Sequence, residues 1–335
     1  MNPIKLSVCI ATYNRAAYIG ETLSSILSQL TNDIEVIVVD GASPDNTAQV
    51  VSEFAQSCPQ LKYHRRETNR GVDEDFNYAV SLAAGEYCWL MSDDDILKPG
   101  AIQAVLAAIS RNYGLILVNA EIRDKALAEV LEKRRLELPG DRVYASSQFE
   151  QFFIDTAQYL SFIGCVVIKK RLWDEREKEK YYGTVFIHVG VIFQKPFAED
   201  ILVIANPYIA IRYGNAGWSG RSFEIWMFKW PRLIWSFPDL SDSAKARVYP
   251  REPWKQAKKL LLLRGMGSYS HKEYDQFLKG LAASKLTKLA ARVIAGLPGG
   301  WVNRLAQIYF KKVRPSPRSV MDLRNSKFGV ARPGN

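Results

Sequence analysis

Residues 87–95 read Tyr-Cys-Trp-Leu-Met-Ser-Asp-Asp-Asp, an apolar run followed by one serine and then three carboxylates. Adjacent carboxylates repel one another, and a hard cation such as Mg²⁺ or Mn²⁺ stabilises them. These ions take oxygen ligands from one or two carboxylates and from the phosphates of a nucleotide. An acidic run is otherwise typical of a solvated loop. Its position after an apolar strand favours the cation, because open α/β sheets bind ligands beyond the carboxyl ends of their strands.

Apolar strands and amphipathic helices alternate on both sides of this stretch. Strands are predicted over residues 6–11, 34–39, 61–65, 86–92 and 114–119. The segments between them carry apolar residues at helical spacing. This alternation is typical of a doubly wound α/β domain with a mostly parallel sheet.

The composition excludes several classes of protein. Of the 335 residues, 47% are hydrophobic, which is enough for a sizeable core and too many for a disordered chain. Three of the four widely spaced cysteines lie in apolar runs, which indicates buried, reduced thiols and a cytosolic protein. The N-terminus lacks the pattern of a secretion signal and no apolar run approaches the length of a bilayer span. We therefore expect neither export nor a membrane-spanning segment.

The charge is distributed unevenly along the chain. Residues 1–244 contain 25 Lys and Arg against 31 Asp and Glu, whereas residues 245–335 contain 20 against 4. This asymmetry indicates an acidic or neutral catalytic body with a cationic attachment surface, for nucleic acid or for anionic lipid.

Five short motifs occur in order between residues 11 and 95. They are Ala11-Thr12-Tyr13-Asn14, Val38-Val39-Asp40-Gly41-Ala42-Ser43 with Asp45, Asn69-x-Gly71, Gly85-Glu86-Tyr87, and Ser92-Asp93-Asp94-Asp95. Together they resemble the family 2 glycosyltransferases of the GT-A fold. The resemblance is strong for residues 5–120 and looser to about residue 220. Within the family, residues 212–218 and 224–230 look most like bacterial abequosyltransferase-type enzymes, which assemble O-antigen and other surface polysaccharides.

The resemblance implies a sugar transfer from a UDP- or CDP-linked donor to a hydroxyl group, by a single displacement with inversion and with Mn²⁺ or Mg²⁺ as cofactor. By the same resemblance, the base and ribose pocket is lined by Ala11, Thr12, Tyr13, Asn14 and Asp40. An equal alternative for Tyr13 is a packed aromatic at the end of its strand. The Asp40 carboxylate, at the end of a wholly apolar strand, is expected to be exposed in a cleft.

The acid cluster departs from the family's D-x-D pattern, because Ser92 stands where the first carboxylate is usual. Asp94 then takes the metal-ligand position and a catalytic role, so Asp94→Ala is expected to be nearly inactive. Asp93 binds ribose or helps to order the metal, and Asp95 supports the loop or contacts solvent. A second departure is Gly41, where many members have an acid that accepts the N3–H of uracil. Without that acid, CDP-sugars become plausible donors beside UDP-sugars.

By the resemblance, residues 181–189 fill the position where the family places its catalytic base, and His188 is the leading candidate there. An imidazole near its ordinary pKa takes a proton at physiological pH. The alternative is a core histidine that hydrogen-bonds a carbonyl. Asp174 and Glu175 are reserve candidates, although they open a charged run that is typical of a solvated face. On the acceptor side, Arg212 is expected to meet a phosphate and Trp218 a sugar face, with packing beneath the site as the equal alternative for Trp218.

The basic C-terminal part carries two apolar stripes at helical spacing. They comprise Leu286, Leu289, Val293, Ile294 and Leu297, then Trp301, Leu305, Ile308 and Tyr309. Amphipathic helices with basic flanks commonly lie on anionic membranes, and the alternative is a helical subdomain packed on the core. The predicted organisation is a GT-A domain over residues 1–240, with a nucleotide-sugar half to residue 120 and an acceptor half after it. A membrane-association region over residues 241–314 and a poorly ordered tail over residues 315–335 follow.

The leading hypothesis is a bacterial glycosyltransferase that extends a lipid-linked saccharide at the inner face of the membrane. A nucleic-acid-binding protein is the competing hypothesis from another class, given the pI of about 9.3. No nucleic-acid-binding motif is recognised, however, so nucleic acid is not an expected partner. Nucleotidyl transfer on a similar fold is disfavoured, because Thr12-Tyr13-Asn14 is not a glycine-rich phosphate loop. An inactive family member is the last alternative, since the usual acidic base motif is missing.

Overall fold

The computed structural model describes residues 3–215 and 221–329. The strands in these residues are β1 Leu6–Thr12, β2 Ile34–Asp40, β3 Leu61–Arg65, β4 Tyr87–Met91, β5 Ile96–Leu97, β6 Leu115–Arg123, β7 Val130–Glu132, β8 Arg142–Tyr144, β9 Val166–Lys169 and β10 Ile201–Arg212. The α-helices are α1 Ile19–Leu27, α2 Thr47–Ser57, α3 Val72–Leu82, α4 Ala101–Ile109, α5 Phe149–Thr156, α6 Lys170–Asp174, α7 Ile187–Phe193, α8 Ser222–Glu224, α9 Trp230–Ile234, α10 Asp242–Val248, α11 Ala257–Met266, α12 His271–Glu273, α13 Lys285–Gly296, α14 Gly299–Lys312 and α15 Pro317–Arg324.

The strands form one sheet in the order β3-β2-β1-β4-β9-β6-β10-β5, with β7 beside β6 and β8 beside β10. The four strands β3, β2, β1 and β4 are mutually parallel, and β6 is parallel to β10. The predicted α/β fold with a mostly parallel central sheet is therefore confirmed. The antiparallel strand β9, which lies between β4 and β6, was not predicted.

Continuous burial explains why the first strands could be predicted from the sequence. Every residue of β1, β2 and β4 is buried. A strand covered on both faces needs apolar residues throughout, so it reads as an unbroken apolar run. The observed bounds of these strands agree with the predicted ones to within one residue at each end.

A close backbone approach places β4 against β1. A Cβ atom on Gly85 would lie 2.7 Å from the backbone nitrogen of Ser7, which is closer than real Cβ contacts come. The Glu35 carboxylate accepts hydrogen bonds from the Ser7 hydroxyl and from the Ala84 backbone N–H, both at 2.6 Å. Gly85 therefore lets the turn before β4 lie directly on β1, and strand pairing begins at Leu6 and Tyr87.

The described residues divide into two compact units, residues up to 212 with 237–244, and residues 213–236 with those from 245 onward. The second unit takes in residues 213–236, which the sequence analysis placed in the acceptor half. It has its own apolar core, formed by Phe223, Met227, Trp254, Leu260, Leu263, Tyr269, Tyr274, Leu278, Ala291, Ile294 and Ala295. Phe223 and Tyr269 stack there with ring centroids 4.8 Å apart.

The C-terminal part corrects one expectation. Residues 317–324, expected to belong to a poorly ordered tail, form helix α15, whose Val320 and Leu323 are buried. Its Arg318 Nε donates a hydrogen bond to the Tyr213 hydroxyl at 2.9 Å. This helix is therefore ordered by packing within the second unit. In the described part of the chain, no helix is both long and apolar enough to cross a membrane.

The four cysteines are free, and three of them, Cys9, Cys88 and Cys165, are buried. The prediction of buried, unpaired thiols is confirmed for these three. Burial raises the pKa of the Cys165 thiol well above its ordinary value, so this thiol stays protonated at neutral pH.

Candidate active site

The carboxyl ends of three neighbouring strands meet at one edge of the sheet. Thr12, the last residue of β1, lies opposite Asp40, the last residue of β2. On the other side of β1, Ile10 lies opposite Met91, where β4 ends. The loops that follow these strands therefore lie side by side, where α/β sheets of this kind bind ligands.

The loop after β1 is held by the loop after β2. Three consecutive backbone N–H groups, of residues 14–16, donate to the side chains of Ser43, Thr47 and Asp45 at 2.9, 2.9 and 3.0 Å. These contacts give a physical reason for the joint occurrence of the first two motifs. They leave the Tyr13 side chain 47% exposed beside the sheet edge, so it is not a packed aromatic. Its neighbours in β1, residues 11 and 12, are buried.

An arginine that the sequence analysis did not single out lies at the acid cluster. The Arg15 Nε atom is 3.5 Å from Asp93 Oδ1, and its Nη2 atom is 3.8 Å from Asp94 Oδ2. Burial and the neighbouring Asp94 charge raise the pKa of Asp93 to about 7, although Arg15 opposes the shift. Asp93 and Asp94 thus form a pair of adjacent, largely buried carboxylates beside one guanidinium group.

Asp95 turns away from this pair and supports the loop. Its carboxyl group accepts hydrogen bonds from the Ser92 hydroxyl and, at 2.7 Å, from the backbone N–H of Arg212. The side chain is 2% exposed, and burial together with the Asp94 charge raises its pKa well above the ordinary value. Of the two roles expected for Asp95, the geometry matches support of the loop.

Arg212 does not have the role expected on the acceptor side. Its side chain is buried, with Nε donating to the Asp94 carbonyl, Nη1 to the Lys125 carbonyl and Nη2 to the Glu21 carboxylate, each at 2.9 Å. A guanidinium group engaged in three directions has little capacity left for a phosphate. The prediction of a phosphate contact is therefore wrong, and Arg212 instead fixes the acid loop against the end of β10.

Asp40 is fully buried rather than exposed in a cleft. Its carboxylate accepts hydrogen bonds from the Tyr63 hydroxyl and the Ser43 backbone N–H, both at 2.7 Å, and pairs with Arg65 at 3.9 Å. These partners satisfy the charge inside the protein, which removes the reason for expecting an exposed group. The expectation of an exposed Asp40 carboxylate is wrong, and Asp40 positions the loop that contains Ser43; its contact with the nucleotide stays a prediction.

His188 matches the alternative role given for it. The ring is 1% exposed, and all residues of α7 are buried. Its Nε2 atom lies 2.6 Å from the Leu160 carbonyl oxygen, so Nε2 carries the proton, while Nδ1 is buried and has no hydrogen-bond partner among the described residues. Burial lowers the pKa of His188 to about 4. An inaccessible imidazole of such low basicity is a poor general base, so this prediction is contradicted.

The reserve candidates for the base lie on a charged surface. Asp174 pairs with Lys170 at 2.6 Å and Glu175 pairs with Arg171 at 3.3 Å, each one helical turn away. Both carboxylates are about half exposed. This is the solvated face that the charged run indicated. Trp218, the remaining candidate, falls outside the described residues.

A carboxylate from α3 lies where Gly41 has no side chain. The Asp75 Oδ2 atom is 2.7 Å from the position that a Cβ on Gly41 would take, and Asp75 Oδ1 accepts a 2.9 Å hydrogen bond from Arg66 Nε. The side chain of Asn69, from the third motif, lies 3.7 Å from the same Cβ position. Acids are common in the first turn of a helix, so nothing in the sequence distinguished Asp75 from its neighbours.

The acid pair suits a cation that brings further ligands with it. No group of three or more His, Cys, Asp and Glu side chains suited to a metal exists among the residues that the structure describes. Two adjacent carboxylates at a loop, Asp93 and Asp94, are nevertheless the number that Mg²⁺ commonly takes from a protein when phosphates and water complete its shell. The oxygen-only donor set likewise suits Mg²⁺ or Mn²⁺.

Residues 7–171 match the family model described as glycosyl transferase family 2. The chain carries a family 2 glycosyltransferase domain. The match covers β1 to β4, the acid cluster and β9, so it contains the sheet edge and the carboxylate pair. Glycosyl transfer is the reaction class of this domain, and it replaces nucleotidyl transfer, the alternative reaction considered from the sequence.

Curated relatives and solved structures agree with this assignment. The chain is 28% identical over 223 residues to abequosyltransferase RfbV of Salmonella typhimurium, covering 63% of this chain and 67% of that protein. It is 27% identical over 180 residues to GalNAc(5)-diNAcBac-PP-undecaprenol beta-1,3-glucosyltransferase of Campylobacter jejuni, covering 53% of this chain and 56% of that protein. The crystal structure of S. aureus TarS 1-349 superposes with a TM-score of 0.59 at 18% identity, over 96% of this chain and 89% of that one. The glycosyltransferase domain therefore has the predicted GT-A fold.

Proposed function

We propose that this domain transfers a sugar from a nucleotide-diphosphate sugar to a hydroxyl of a lipid-linked saccharide, in the synthesis of a bacterial surface polysaccharide. The observation that carries the proposal is the Asp93–Asp94 pair beside Arg15, at the carboxyl end of β4 and within the family match. The acceptor class is supported by the name of one relative, GalNAc(5)-diNAcBac-PP-undecaprenol beta-1,3-glucosyltransferase.

The site residues divide the work of binding the donor. Asp94, with Asp93, would hold Mn²⁺ or Mg²⁺, and such an ion neutralises the charge of a departing diphosphate. Arg15 adds positive charge at the same place. Tyr13, half exposed at the edge of the sheet, offers a ring on which a nucleobase can stack, and residues 11 and 12 form the floor beneath it.

We propose a single displacement, as the resemblance to family 2 glycosyltransferases implies. The acceptor oxygen forms a bond to the anomeric carbon while the bond from that carbon to the diphosphate oxygen breaks. The bonding electron pair leaves with the diphosphate, and the hydroxyl proton passes to a base. Attack opposite the leaving group inverts the anomeric configuration. Arg212 and Asp95 contribute indirectly, because they fix the loop that presents Asp94.

Asp75 bears on the choice of nucleotide. The sequence analysis took Gly41 as a sign that no carboxylate faces N3 of the base, which left CDP-sugars plausible. The Asp75 carboxylate occupies the space beside Gly41. An ionised carboxylate accepts a hydrogen bond from N3–H of uracil, whereas N3 of cytosine is itself an acceptor. We therefore propose UDP-sugars as the preferred donors.

Calorimetric titration with UDP, CDP, GDP and dTDP, each with Mn²⁺ and with EDTA, tests the proposal. We expect metal-dependent binding of UDP that is lost in Asp94→Ala and kept in Asp174→Ala, which removes an exposed carboxylate of the same kind. Absence of binding to all four nucleotides would refute the proposed function. Stronger binding of CDP than of UDP would refute only the role given to Asp75.

A lipid-linked acceptor requires the enzyme to work at a membrane surface. A saccharide linked to a lipid is extended at the surface of a bilayer, so we propose that the protein works at the cytoplasmic face of the membrane, attached peripherally.

A further inference from the structure

Helices α13 and α14 of the second unit expose large apolar side chains to solvent. The exposed fractions are 78% for Leu286, 59% for Leu289, 55% for Val293, 70% for Trp301, 65% for Leu305 and 52% for Ile308. These six side chains, called the docking residues below, recur along each helix at spacings of three or four residues. Each helix thus presents one continuous apolar stripe. Isolated exposed apolar residues are ordinary, but an exposed apolar stripe on each of two consecutive helices indicates an interaction surface.

Helix α14 exposes its largest apolar side chains, while its inner side holds Gly299 and Asn303 with the partly buried Val302, Ala306 and Phe310. Its buried residues are Gly299 and Asn303. The Asn303 Nδ2 group donates to the Gly265 carbonyl at 2.9 Å and to the Leu323 carbonyl at 2.8 Å. The helix is thereby attached to α11 and α15 through amide hydrogen bonds and small residues. Its exposed Trp301, Leu305 and Ile308 side chains are not part of the core of the second unit.

Helix α13 is apolar on two sides. Ala291, Ile294 and Ala295 pack into the core of the second unit. Leu286, Leu289 and Val293 lie on the opposite, exposed side. Core packing therefore explains only the inner stripe, and the outer stripe has the composition of a second buried face.

The charge around the docking residues is of one sign. Residues 285–314 contain seven Lys and Arg and no Asp or Glu. Most of these cations, including Arg292, Arg304 and Lys311, are exposed. Long basic side chains can extend to lipid headgroups while apolar neighbours enter the acyl boundary, and Trp favours that boundary. The same excess of positive charge repels a second copy of this surface, so charge complementarity favours an anionic lipid surface over a dimer.

We infer that the docking residues of α13 and α14 insert into the headgroup region of an anionic bilayer. The inference deepens the proposed function, on which it rests for the lipid-linked acceptor, while the surface itself is argued from these two helices alone. Binding of this kind combines burial of apolar area with attraction of about fivefold in affinity for each basic residue near the membrane.

Co-flotation of the full chain with vesicles of phosphatidylcholine, with and without phosphatidylglycerol, tests the inference. We expect binding that requires phosphatidylglycerol and weakens as salt is raised. The double variant Trp301→Ser/Leu305→Ser should bind at least about tenfold more weakly, because the two side chains supply much of the inserted area. The matched control is Val130→Ser/Val143→Ser, which removes two side chains of the first unit that are 44% and 45% exposed and should bind as the wild type does.

The outcomes distinguish membrane binding by the docking residues from a dimer interface and from the absence of any role in binding. All four side chains are exposed, so both variants should melt at the wild-type temperature, and thermal melts verify this. Equal vesicle binding by the two double variants would overturn the inference. So would a wild-type dimer that Trp301→Ser/Leu305→Ser converts to a monomer without vesicle binding, as measured by sedimentation. UDP titration of the same preparations tests the proposed function independently, because the nucleotide does not need the vesicle.

Discussion

Replacing His188 by Gln distinguishes a structural imidazole from a catalytic one. A Gln amide can donate to the Leu160 carbonyl in place of Nε2–H, but it does not titrate. In the folded protein the pKa of His188 is about 4, below the ordinary value of 6.5. The unfolded chain therefore binds a proton between these two values that the folded chain does not. Stability from this group is complete above pH 6.5 and is lost as the pH falls towards 4.

The size of the effect follows from the same two pKa values. Between about pH 7.5 and about pH 5, linkage removes about 2 kcal/mol of unfolding free energy from the wild type and none from His188→Gln. Urea unfolding at both pH values, followed by tryptophan fluorescence, measures the difference. Other titrating groups are common to both proteins and cancel in the comparison. His271→Gln, which makes the same substitution at an exposed histidine, is the matched control.

Activity provides the second readout for His188. A structural histidine predicts that sugar transfer by His188→Gln stays close to the wild-type rate, whereas loss of a general base costs about a hundredfold to ten-thousandfold. A folded variant with such a loss, or an unchanged pH dependence of stability, would show that the reasoning is wrong.

Three further perturbations concern the acid loop and the base pocket. In steady-state assays of sugar transfer, Asp94→Ala should lower kcat/KM about a thousandfold, whereas Asp174→Ala should keep the wild-type kcat/KM. A loss of less than tenfold in Asp94→Ala would contradict the metal-ligand role. Arg212→Met should lower the unfolding free energy by about 2 kcal/mol and weaken Mn²⁺-dependent UDP binding, because it removes the hydrogen bonds from a buried guanidinium to two backbone carbonyls and to the largely exposed Glu21 carboxylate. Calorimetry and urea unfolding measure both effects, and a fully stable variant would contradict the positioning role. Asp75→Asn should reduce the preference for UDP over CDP, since an amide can both donate and accept; an unchanged ratio of the two dissociation constants would show that Asp75 does not read the base.

The first half of the sheet was predictable because its physical demands are local. Strands β1, β2 and β4 are buried throughout, so each had to be an uninterrupted apolar run of the right length. The position of β9 was not predictable in the same way. Its four residues, Val166–Lys169, are too few to define a strand, and their place between β4 and β6 depends on contacts made far along the chain.

The roles of the polar residues at the site could not be predicted from the sequence. The sequence predicted functional roles for Asp40, His188 and Arg212, with a core position as the alternative for His188, and each side chain is buried with a hydrogen-bond partner inside the protein. Those partners are not adjacent in the sequence, since Arg212 bonds to the loop of Asp94 and to Glu21. A charged residue at a strand end is consistent with either role, and only the arrangement of its neighbours decides between them.

For helix α14 the sequence predicted an amphipathic helix, but it did not predict which side of the helix faces the solvent. The stripe that contains Trp301 and Leu305 predicts an amphipathic helix, but such a stripe ordinarily faces inward. The inward direction is instead taken by Asn303, whose amide reaches two backbone carbonyls. The core of the second unit is formed by residues of other elements, and Trp301 is not among them. The exposed stripe is therefore a consequence of how α14 is attached, and that attachment makes the surface available to a bilayer.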